Sequence, residues 1–458
     1  MKKVLVIAYY FPPTAGGGVQ RAAKFVKYLP SFGWDPVVLT VSNPDFDLFD
    51  ESLMNDISAQ VKVHRAYSFD PVRWHRKRKH GEASLFDRKE KVSDNSWGKR
   101  LENPVTLSVK ALKYLLNNFV LVPDDYVGWI PIAVIKGYTV MKRERVDAIY
   151  ATGKPWSSFL IAYLLGIFTG KPFILDLRDP WTLTPYDGSG GKTPKHRIWS
   201  FLEKICFSRA GKVININEQI TRAYISHYPS IPPERFTCIT HGFDTDDFPG
   251  GSRVDGEDKF SITYVGTLYR NTLPDNFLKS VSQLISQHPD LKEEIRLRFV
   301  GFVPSYVCRL INELRLENAV DLVGYLPHRE SIKLMTSAAV LLLLLNKPES
   351  NTEAQVSTGK LFEYLASRRP ILALIPPETD AARLIKEQQA GTVIDPDDME
   401  GIEKAILSFW QQYKQGGVRP TSPTLEKFER KHLAGQLADI LDSLSPAVHH
   451  PVVSDDYR

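Results

Sequence analysis

The feature of this sequence that most constrains its fold is the alternation of short apolar runs with amphipathic helical patterns. The first run, residues 4–8, is continuous and rich in β-branched side chains, which is typical of a buried strand of a parallel sheet. A glycine-rich turn at residues 12–18 follows, and apolar side chains then recur at helical spacing over residues 19–29. The next apolar run, residues 35–41, completes a βαβ unit, so a parallel sheet is predicted.

The same alternation extends along the rest of the chain, with one interruption and one break. Residues 70–130 interrupt it and are predicted to be an insertion, and residues 230–258 are rich in proline, glycine and polar side chains, which predicts a linker. Further strands are predicted at residues 147–151, 172–176, 212–216, 261–265, 295–300, 320–323, 340–345 and 371–375, and further helices at 156–168, 274–288, 329–337 and 360–367. We therefore expect an α/β domain at 1–238, a second at 239–424, and a terminal amphipathic helix within 425–446.

The charge of the chain is concentrated in the predicted insertion. Lys and Arg number 58 and Asp and Glu 53, a net charge of +5. Residues 73–100 alone hold ten cations and four acids, a local excess of six, interspersed with Trp74, Phe86 and Trp97. This segment is suited to contact anionic lipid headgroups, or it is a solvated face. It contains no nucleic-acid reader motif, so no nucleic-acid partner is expected.

Cysteine usage and hydropathy indicate the environment of the protein. The three cysteines form no CxxC pair, so neither a disulfide framework nor a zinc site is predicted. The longest apolar stretch beyond the first strand, residues 159–168, is far shorter than the roughly 20 residues that a membrane span needs. We expect a cytoplasmic protein, either soluble or bound at the inner face of the plasma membrane.

A triple glycine lies where the first strand is predicted to end. At Gly16, Gly17 and Gly18 the backbone can approach a ligand closely, and the free N–H groups of the following helix attract an anion. The spacing fits neither the dinucleotide fingerprint nor the P-loop. Ligands of open α/β sheets bind at the carboxyl ends of strands, which favours a binding site here. The alternative is a tight turn with no ligand.

A predicted helix start in the second domain is the next candidate site. Ser357 or Thr358 can cap this helix, and Gly359 leaves its N-terminus open to a phosphate. Lys360 adds a positive charge beside it. Glu363 lies about one turn further, where its carboxylate can accept hydrogen bonds from ribose hydroxyls. The alternative is that Glu363 only completes a capping box.

Charged side chains follow two other predicted strands. Asp176, Arg178 and Asp179 are expected to face a cleft, unless they form a structural Arg–Asp pair. Arg270 follows the first strand of the second domain and is the nearest cation there that could neutralise a diphosphate, or it is an ordinary surface arginine. His241 lies at the domain junction, where it is either a loop histidine near the cleft or part of an ordinary turn.

Together these motifs resemble the GT-B glycosyltransferases, specifically family 4, over nearly the whole chain. The matching segments are residues 10–13 with glycines 16–18, the junction 240–244, residues 323–327, and residues 359–366 followed by 369–371. The resemblance implies two Rossmann-like domains that face each other across a cleft, with the last helix crossing back to the first domain. It also implies that the first domain binds the acceptor and the second binds a nucleotide-sugar.

The resemblance further implies a retaining, hexosyltransferase-like enzyme that needs no metal and no other cofactor. The partners would be a nucleotide-diphosphate sugar and a glycan or lipid-linked acceptor, as in surface polysaccharide biosynthesis. Catalytic roles are expected for Asp179 near the acceptor hydroxyl, and for Arg270 and Lys360, which would stabilise the leaving diphosphate. The donor-binding residues implied by the motifs are Gly17, Gly18, Gly324, Tyr325, Gln355, Ser357, Thr358, Gly359 and Glu363.

Three positions depart from the family pattern. Gln355 stands where the first of two glutamates is usual, Thr267 where an arginine is usual, and His241 where an asparagine is common. These departures concern the identity of the sugar more than the activity. Two alternatives stay open: a nucleotide-sugar epimerase of the same architecture, which needs no acceptor, and a non-catalytic GT-B scaffold, which would bind no nucleotide.

Overall fold

The computed structural model describes residues 1–44, 49–69, 119–183, 193–248, 259–346, 359–416 and 425–445. The basic segment 73–100 lies outside the described residues. Two parallel β-sheets, of seven and six strands, form the centres of two α/β units. The predicted α/β class with two Rossmann-like halves is therefore confirmed.

The first sheet is built from the strands before residue 240. These strands are β1 (Lys2–Ile7), β2 (Trp34–Val41), β3 (Lys62–Ala66), β4 (Ala148–Gly153), β5 (Phe173–Leu177), β6 (Lys212–Asn215) and β7 (Phe236–Cys238). Their order across the sheet is β3-β2-β1-β4-β5-β6-β7. The helices described with this sheet are α1 (Gly17–Tyr28), α2 (Ile130–Glu144), α3 (Ser157–Thr169), α4 (Pro194–Arg209) and α5 (Glu218–His227).

The second sheet repeats this arrangement. Its strands are β8 (Phe260–Val265), β9 (Ile295–Val300), β10 (Val320–Gly324), β11 (Val340–Leu344), β12 (Ile371–Leu374) and β13 (Gly391–Ile394), in the order β10-β9-β8-β11-β12-β13. The central strand β11 is entirely apolar and entirely buried, because helices cover both faces of a parallel sheet. The described helices are α6 (Asp275–Gln287), α7 (Pro289–Glu294), α8 (Ser305–Glu313), α9 (His328–Ser337), α10 (Gly359–Ser367), α11 (Asp380–Glu387) and α12 (Met399–Lys414).

The last helix, α13 (Arg430–Leu444), returns to the first sheet, as expected. Its apolar side chains Leu433, Leu437 and Leu441 are buried in the same cluster as Val4 and Val6 of β1. The helix follows a short 3-10 turn at 426–428, so the amphipathic segment is not one continuous helix. The C-terminal end of the chain thus completes the core of the first domain.

Among the described residues, helix length stays in the ordinary globular range. The longest helices there, α4 and α12, each have 16 residues. No described helix is both long and apolar enough to span a bilayer.

Candidate functional site

Both predicted glycine motifs lie where the strand order of their sheet reverses. The order changes direction between β1 and β4 in the first sheet, and between β8 and β11 in the second. Ligands of open α/β sheets bind at such points because the neighbouring loops diverge there. The turn at residues 16–18 follows β1, and the chain after β11 leads into α10, which begins at Gly359.

The glycine turn lies directly against an arginine of the first domain. Gly16 has a φ of 109°, and a Cβ atom at Gly18 would overlap Nη1 of Arg178. That guanidinium is held in place because its Nε donates to the carbonyl of Gly153 at 3.1 Å and its Nη2 donates to the carbonyl of Lys154. A side chain at Gly18 would displace the Arg178 guanidinium from these hydrogen bonds.

The carboxylate of Asp176 does not face the cleft, and this prediction is wrong. Asp176 is fully buried and accepts hydrogen bonds from Nε and Nη2 of Arg21, both at 2.8 Å, and from the hydroxyl of Tyr150 at 2.6 Å. Arg21 also donates to the carbonyls of Ile239 and Thr240. The pair therefore ties α1 to β5 and to the junction, and its role is structural.

Asp179 follows the strand end and is half-buried beside Arg178. Burial lowers the pKa of Arg178, and the charges of Asp179 and Asp176 only partly compensate. Of the three charged residues predicted at this loop, Arg178 and Asp179 therefore remain at the strand end beside the glycine turn.

His241 lies between the two glycine motifs. Burial, followed by the positive charges of Arg21, Arg430 and Arg178, lowers its pKa well below 6.5, so the imidazole is neutral at pH 7. A Cβ atom at Gly359 would lie 4.0 Å from Cγ of His241. The start of α10 and the arginine beside the glycine turn thus approach the same side chain from opposite domains.

Glu363 lies in a chain of polar contacts across the two domains. Its Oε1 is 4.0 Å from Nε2 of His328, and that nitrogen is 3.3 Å from Oδ2 of Asp247. The backbone N–H of His328 donates to Oδ2 of Asp50 at 3.0 Å. Because Asp50 belongs to the first domain and His328 begins α9, this contact joins the domains next to the predicted ribose-binding carboxylate.

We expect His328 to titrate above pH 6.5. Burial alone would lower its pKa, but the hydrogen bond with Asp247 and the charges of Glu363 and Asp247 raise it despite Lys24 nearby. A raised folded-state pKa means that the protonated ring stabilises the fold. That contribution is complete below about pH 6.5, the unfolded pKa, and is lost as the pH rises through the folded pKa.

Titration of the His328 ring by NMR tests this expectation. Asp247→Asn should lower the pKa of His328, because the burial penalty then outweighs the remaining attraction. Asp246→Asn is the matched control, since its carboxylate is 69% exposed and bonds Lys27. An equal effect of both substitutions would contradict the assigned contact.

Three carboxylates near the junction, those of Asp56, Asp244 and Asp247, lie close enough together to suit a metal ion. The ammonium of Lys24 already lies among them, at 2.8, 2.6 and 3.0 Å respectively. Lys24 is 1% exposed, and the carboxylates raise its pKa in spite of its burial. This cluster is therefore a buried salt-bridge network that joins α1 to the junction.

Lys360 reaches back to the first strand of its own domain. Its Nζ donates to the hydroxyl of Tyr264 at 2.6 Å and lies 4.2 Å from the ring centroid. Gly266, with a φ of +126°, must lack a side chain because a Cβ atom there would overlap the Lys360 ammonium. Gly301 and Gly324, at the ends of β9 and β10, also have positive φ, and the backbones of Gly301 and Gly266 approach each other closely.

The remaining predicted residues are only partly described. Tyr325 follows Gly324, is 45% exposed, and has its pKa raised by burial and by the charge of Asp50. Arg270 begins a 3-10 turn after β8. Outside the described part of the structure lie the Arg270 side chain and the predicted residues Gln355, Ser357 and Thr358.

Sequence reasoning missed three residues of this region: Arg21, His328 and Arg430. Arg21 lies about one helical turn after Gly17 and Gly18, and this spacing in the sequence was the available sign that it lies near the glycine turn. His328 directly follows a proline at a helix start. For Arg430, the buried first residue of α13, no local pattern marks a role.

A cavity of about 320 Å³ lies in the first domain and is lined by residues that include Tyr10, Asp124 and Lys154. Lys154, whose carbonyl binds Arg178, is at its edge. Asp124 is fixed there by Ser157, whose N–H and hydroxyl donate to it at 2.9 and 2.6 Å. The other side chains that matter here are aromatic or cationic, namely Tyr10, Tyr126, Trp156, Lys195 and Trp199.

With this geometry in hand, the chain can be compared with known proteins. Residues 259–412 match the family model described as glycosyl transferases group 1. A glycosyltransferase from Rickettsia africae ESF-5 superimposes with a TM-score of 0.61, covering 97% of this chain and 98% of that one at 13% identity. The chain has the GT-B fold, and about a third of its length matches the group 1 glycosyl transferase model.

Other solved structures share the GT-B fold at similarly low sequence identity. WaaG, a glycosyltransferase involved in lipopolysaccharide biosynthesis, has a TM-score of 0.55 and 13% identity over 97% of this chain and 100% of its own. The UDP-GlcNAc 2-epimerase of Methanocaldococcus jannaschii has a TM-score of 0.54 and 12% identity over 97% and 100%. No curated protein matches the sequence. Likeness at these identities establishes the fold alone.

Proposed function

We propose that this protein is a retaining glycosyltransferase that transfers a hexose from a nucleotide-diphosphate sugar to a glycan or lipid-linked acceptor without a metal ion. The observation that carries the proposal is the approach of Gly359, at the start of α10, to His241, with Glu363 of the same helix 4.0 Å from His328, whose N–H bonds Asp50 of the first domain. The match of residues 259–412 to the group 1 family supports the same reaction class.

In this proposal the nucleotide lies along the second domain. Glu363 accepts hydrogen bonds from the ribose hydroxyls, and the N–H groups of the first turn of α10 bind the diphosphate. The backbone surface at Gly324, together with the exposed ring of Tyr325, suits a flat nucleobase. Gln355, Ser357 and Thr358 belong to the segment just before α10 and would complete the donor site.

Breaking the bond between the sugar and the diphosphate places negative charge on the leaving group. The helix N–H groups, Lys360 and Arg270 would stabilise this charge as it develops. Asp179, beside Arg178 at the end of β5, would orient the acceptor hydroxyl. Gly17 and Gly18 leave the backbone of the first domain free to approach the reacting phosphate and sugar.

The cavity of about 320 Å³ in the first domain would hold the acceptor sugar. Its size falls within the range of small-molecule pockets, and the faces of Trp156 and Trp199 can pack against the C–H face of a pyranose. Lys154 and Lys195 are donors for its hydroxyls. The carbonyl of Lys154 binds Arg178, so the side chain of Arg178 connects the cavity to the glycine turn.

A role in surface polysaccharide biosynthesis would place the protein at the cytoplasmic face of the plasma membrane. The likeness to WaaG, which is involved in lipopolysaccharide biosynthesis, supports this role. Phe119 and Val120 are 53% and 51% exposed, and they precede the cavity residue Pro123 by a few positions. Segment 73–100, with its local excess of six positive charges, is suited to attract an anionic membrane surface.

A panel of UDP-, GDP-, ADP- and dTDP-sugars tests the proposal through thermal stabilisation and turnover. A donor at 100 times its dissociation constant adds about 2.7 kcal/mol to the free energy of unfolding. We expect one nucleotide class to raise the melting temperature and its sugar to be transferred with retention, as seen by NMR of the anomeric proton. Absence of stabilisation by every nucleotide would contradict the proposal and favour a non-catalytic scaffold.

An epimerase is the second candidate, because the epimerase of Methanocaldococcus jannaschii shares the fold. The same panel separates the two reactions, since an epimerase converts the nucleotide-sugar with the protein alone. We expect no epimerised nucleotide-sugar without an acceptor.

A further inference from the structure

Arg430, the first residue of α13, is a buried arginine whose charge lacks a bonded partner. Its side chain is 6% exposed, and its Nη1 is enclosed with no hydrogen-bond acceptor. No carboxylate in the described part of the chain forms an ion pair with its guanidinium. An uncompensated buried charge lowers the free energy of unfolding by several kcal/mol. A buried arginine without a partner is therefore expected to bind an anionic ligand.

The charged groups around Arg430 leave an excess of positive charge. Burial and the charge of Arg21 lower the pKa of Arg430 to about 10, although Glu363, Asp244 and Asp247 attract its proton. Asp244 and Asp247 are already bonded to Lys24, and Arg21 is already bonded to Asp176. Glu363 alone therefore has to balance the guanidinium.

The same place also receives the N-terminus of α10. This helix has nine residues, and its first residue, Gly359, faces His241. The positive charge of Arg430 is among those that lower the pKa of His241, the side chain that Gly359 approaches. A helix N-terminus and an unpartnered arginine both favour an anion.

We propose that Arg430 binds a phosphate group of the donor diphosphate, together with the first turn of α10. This inference rests on the proposed function and adds a residue of the crossover helix to its donor site. The backbone of Arg430 is fixed for this role because its N–H donates to the carbonyl of Phe243 at 2.8 Å.

The test compares Arg430→Met with Lys431→Met, a control that removes the same charge from the next, exposed residue. Isothermal titration uses UDP, GDP, ADP and dTDP, the corresponding nucleosides, and inorganic pyrophosphate. We expect Arg430→Met to weaken binding of the nucleotide that the wild type prefers by at least 10-fold and to leave its nucleoside unchanged, with no change in the control. Without ligand, Arg430→Met should melt at the same or a higher temperature, since a buried unpaired charge is removed.

The outcomes separate this assignment from the proposed function. If the wild type binds a nucleotide and Arg430→Met binds it equally well, the role of Arg430 is overturned and the donor site stands. If Arg430→Met melts lower than the wild type or fails to fold, the arginine is structural, which also overturns its role. If the wild type binds none of the nucleotides, both proposals fall.

Discussion

Asp176→Ala is expected to lower the free energy of unfolding by about 3–5 kcal/mol, a large part of the 5–15 kcal/mol that ordinarily stabilises a domain. The substitution leaves Arg21 charged and only 1% exposed, with its main partner gone. The hydroxyl of Tyr150 loses its acceptor in the same step. Removing one member of a buried pair costs far more than the pair contributes, because the remaining charge stays desolvated.

Urea denaturation followed by circular dichroism measures this loss, with Glu400→Ala as the control. Glu400 pairs with Lys404 on the surface of α12, where their side chains are 77% and 73% exposed. Water and salt screen such a pair, so the control should leave the denaturation midpoint unchanged. Equal midpoints for Asp176→Ala and the wild type would show that the Arg21–Asp176 bond does not stabilise the first domain.

The error in predicting Asp176 has a simple geometric origin. The strand was expected to end at residue 176, but β5 extends through Leu177. Asp176 therefore lies within the strand, where its side chain points to the sheet face that α1 covers. Arg178 and Asp179 lie after the strand end, so these two charged residues do lie at the edge of the sheet, as predicted.

The central strands could be predicted because buried strands consist mostly of apolar residues, which the sequence shows directly. β1 and β11 are buried along most of their length, and each contains a continuous apolar run. The edge strands β3 and β13 were not predicted, since their residues are mostly half-exposed and show no such run. An edge strand is defined by its pairing with a neighbour, which a local pattern does not encode.

The two glycine motifs were predictable for a similar reason, because a turn between a strand and a helix is a local feature. The contacts that join these motifs are not local. Arg21 and Asp176 are 155 positions apart, and His328 and Asp50 are 278 positions apart. These groups meet only because the packing of the two parallel sheets and their helices brings distant segments together.

Glu363→Ala is expected to weaken binding of the donor nucleotide roughly 100-fold. Under the proposed function its carboxylate accepts hydrogen bonds from the ribose, and each bond to a charged group contributes about 1.5–3 kcal/mol. One such bond corresponds to roughly a 10- to 150-fold change in affinity. Isothermal titration with the nucleotide that the wild type prefers gives the change, and Glu378→Ala, which removes an exposed glutamate of the same domain, is the control.

A second ligand distinguishes loss of the ribose contact from general damage to the site. Glu363 is a negative charge that acts on Arg430, next to the proposed phosphate position. Its removal should therefore leave the affinity for inorganic pyrophosphate unchanged or increase it, while the affinity for the nucleotide falls. A parallel loss of both ligands would mean that Glu363 supports the shape of the site. Near-normal nucleotide binding would remove Glu363 from the donor site altogether, because no other described carboxylate follows the start of α10 by one turn.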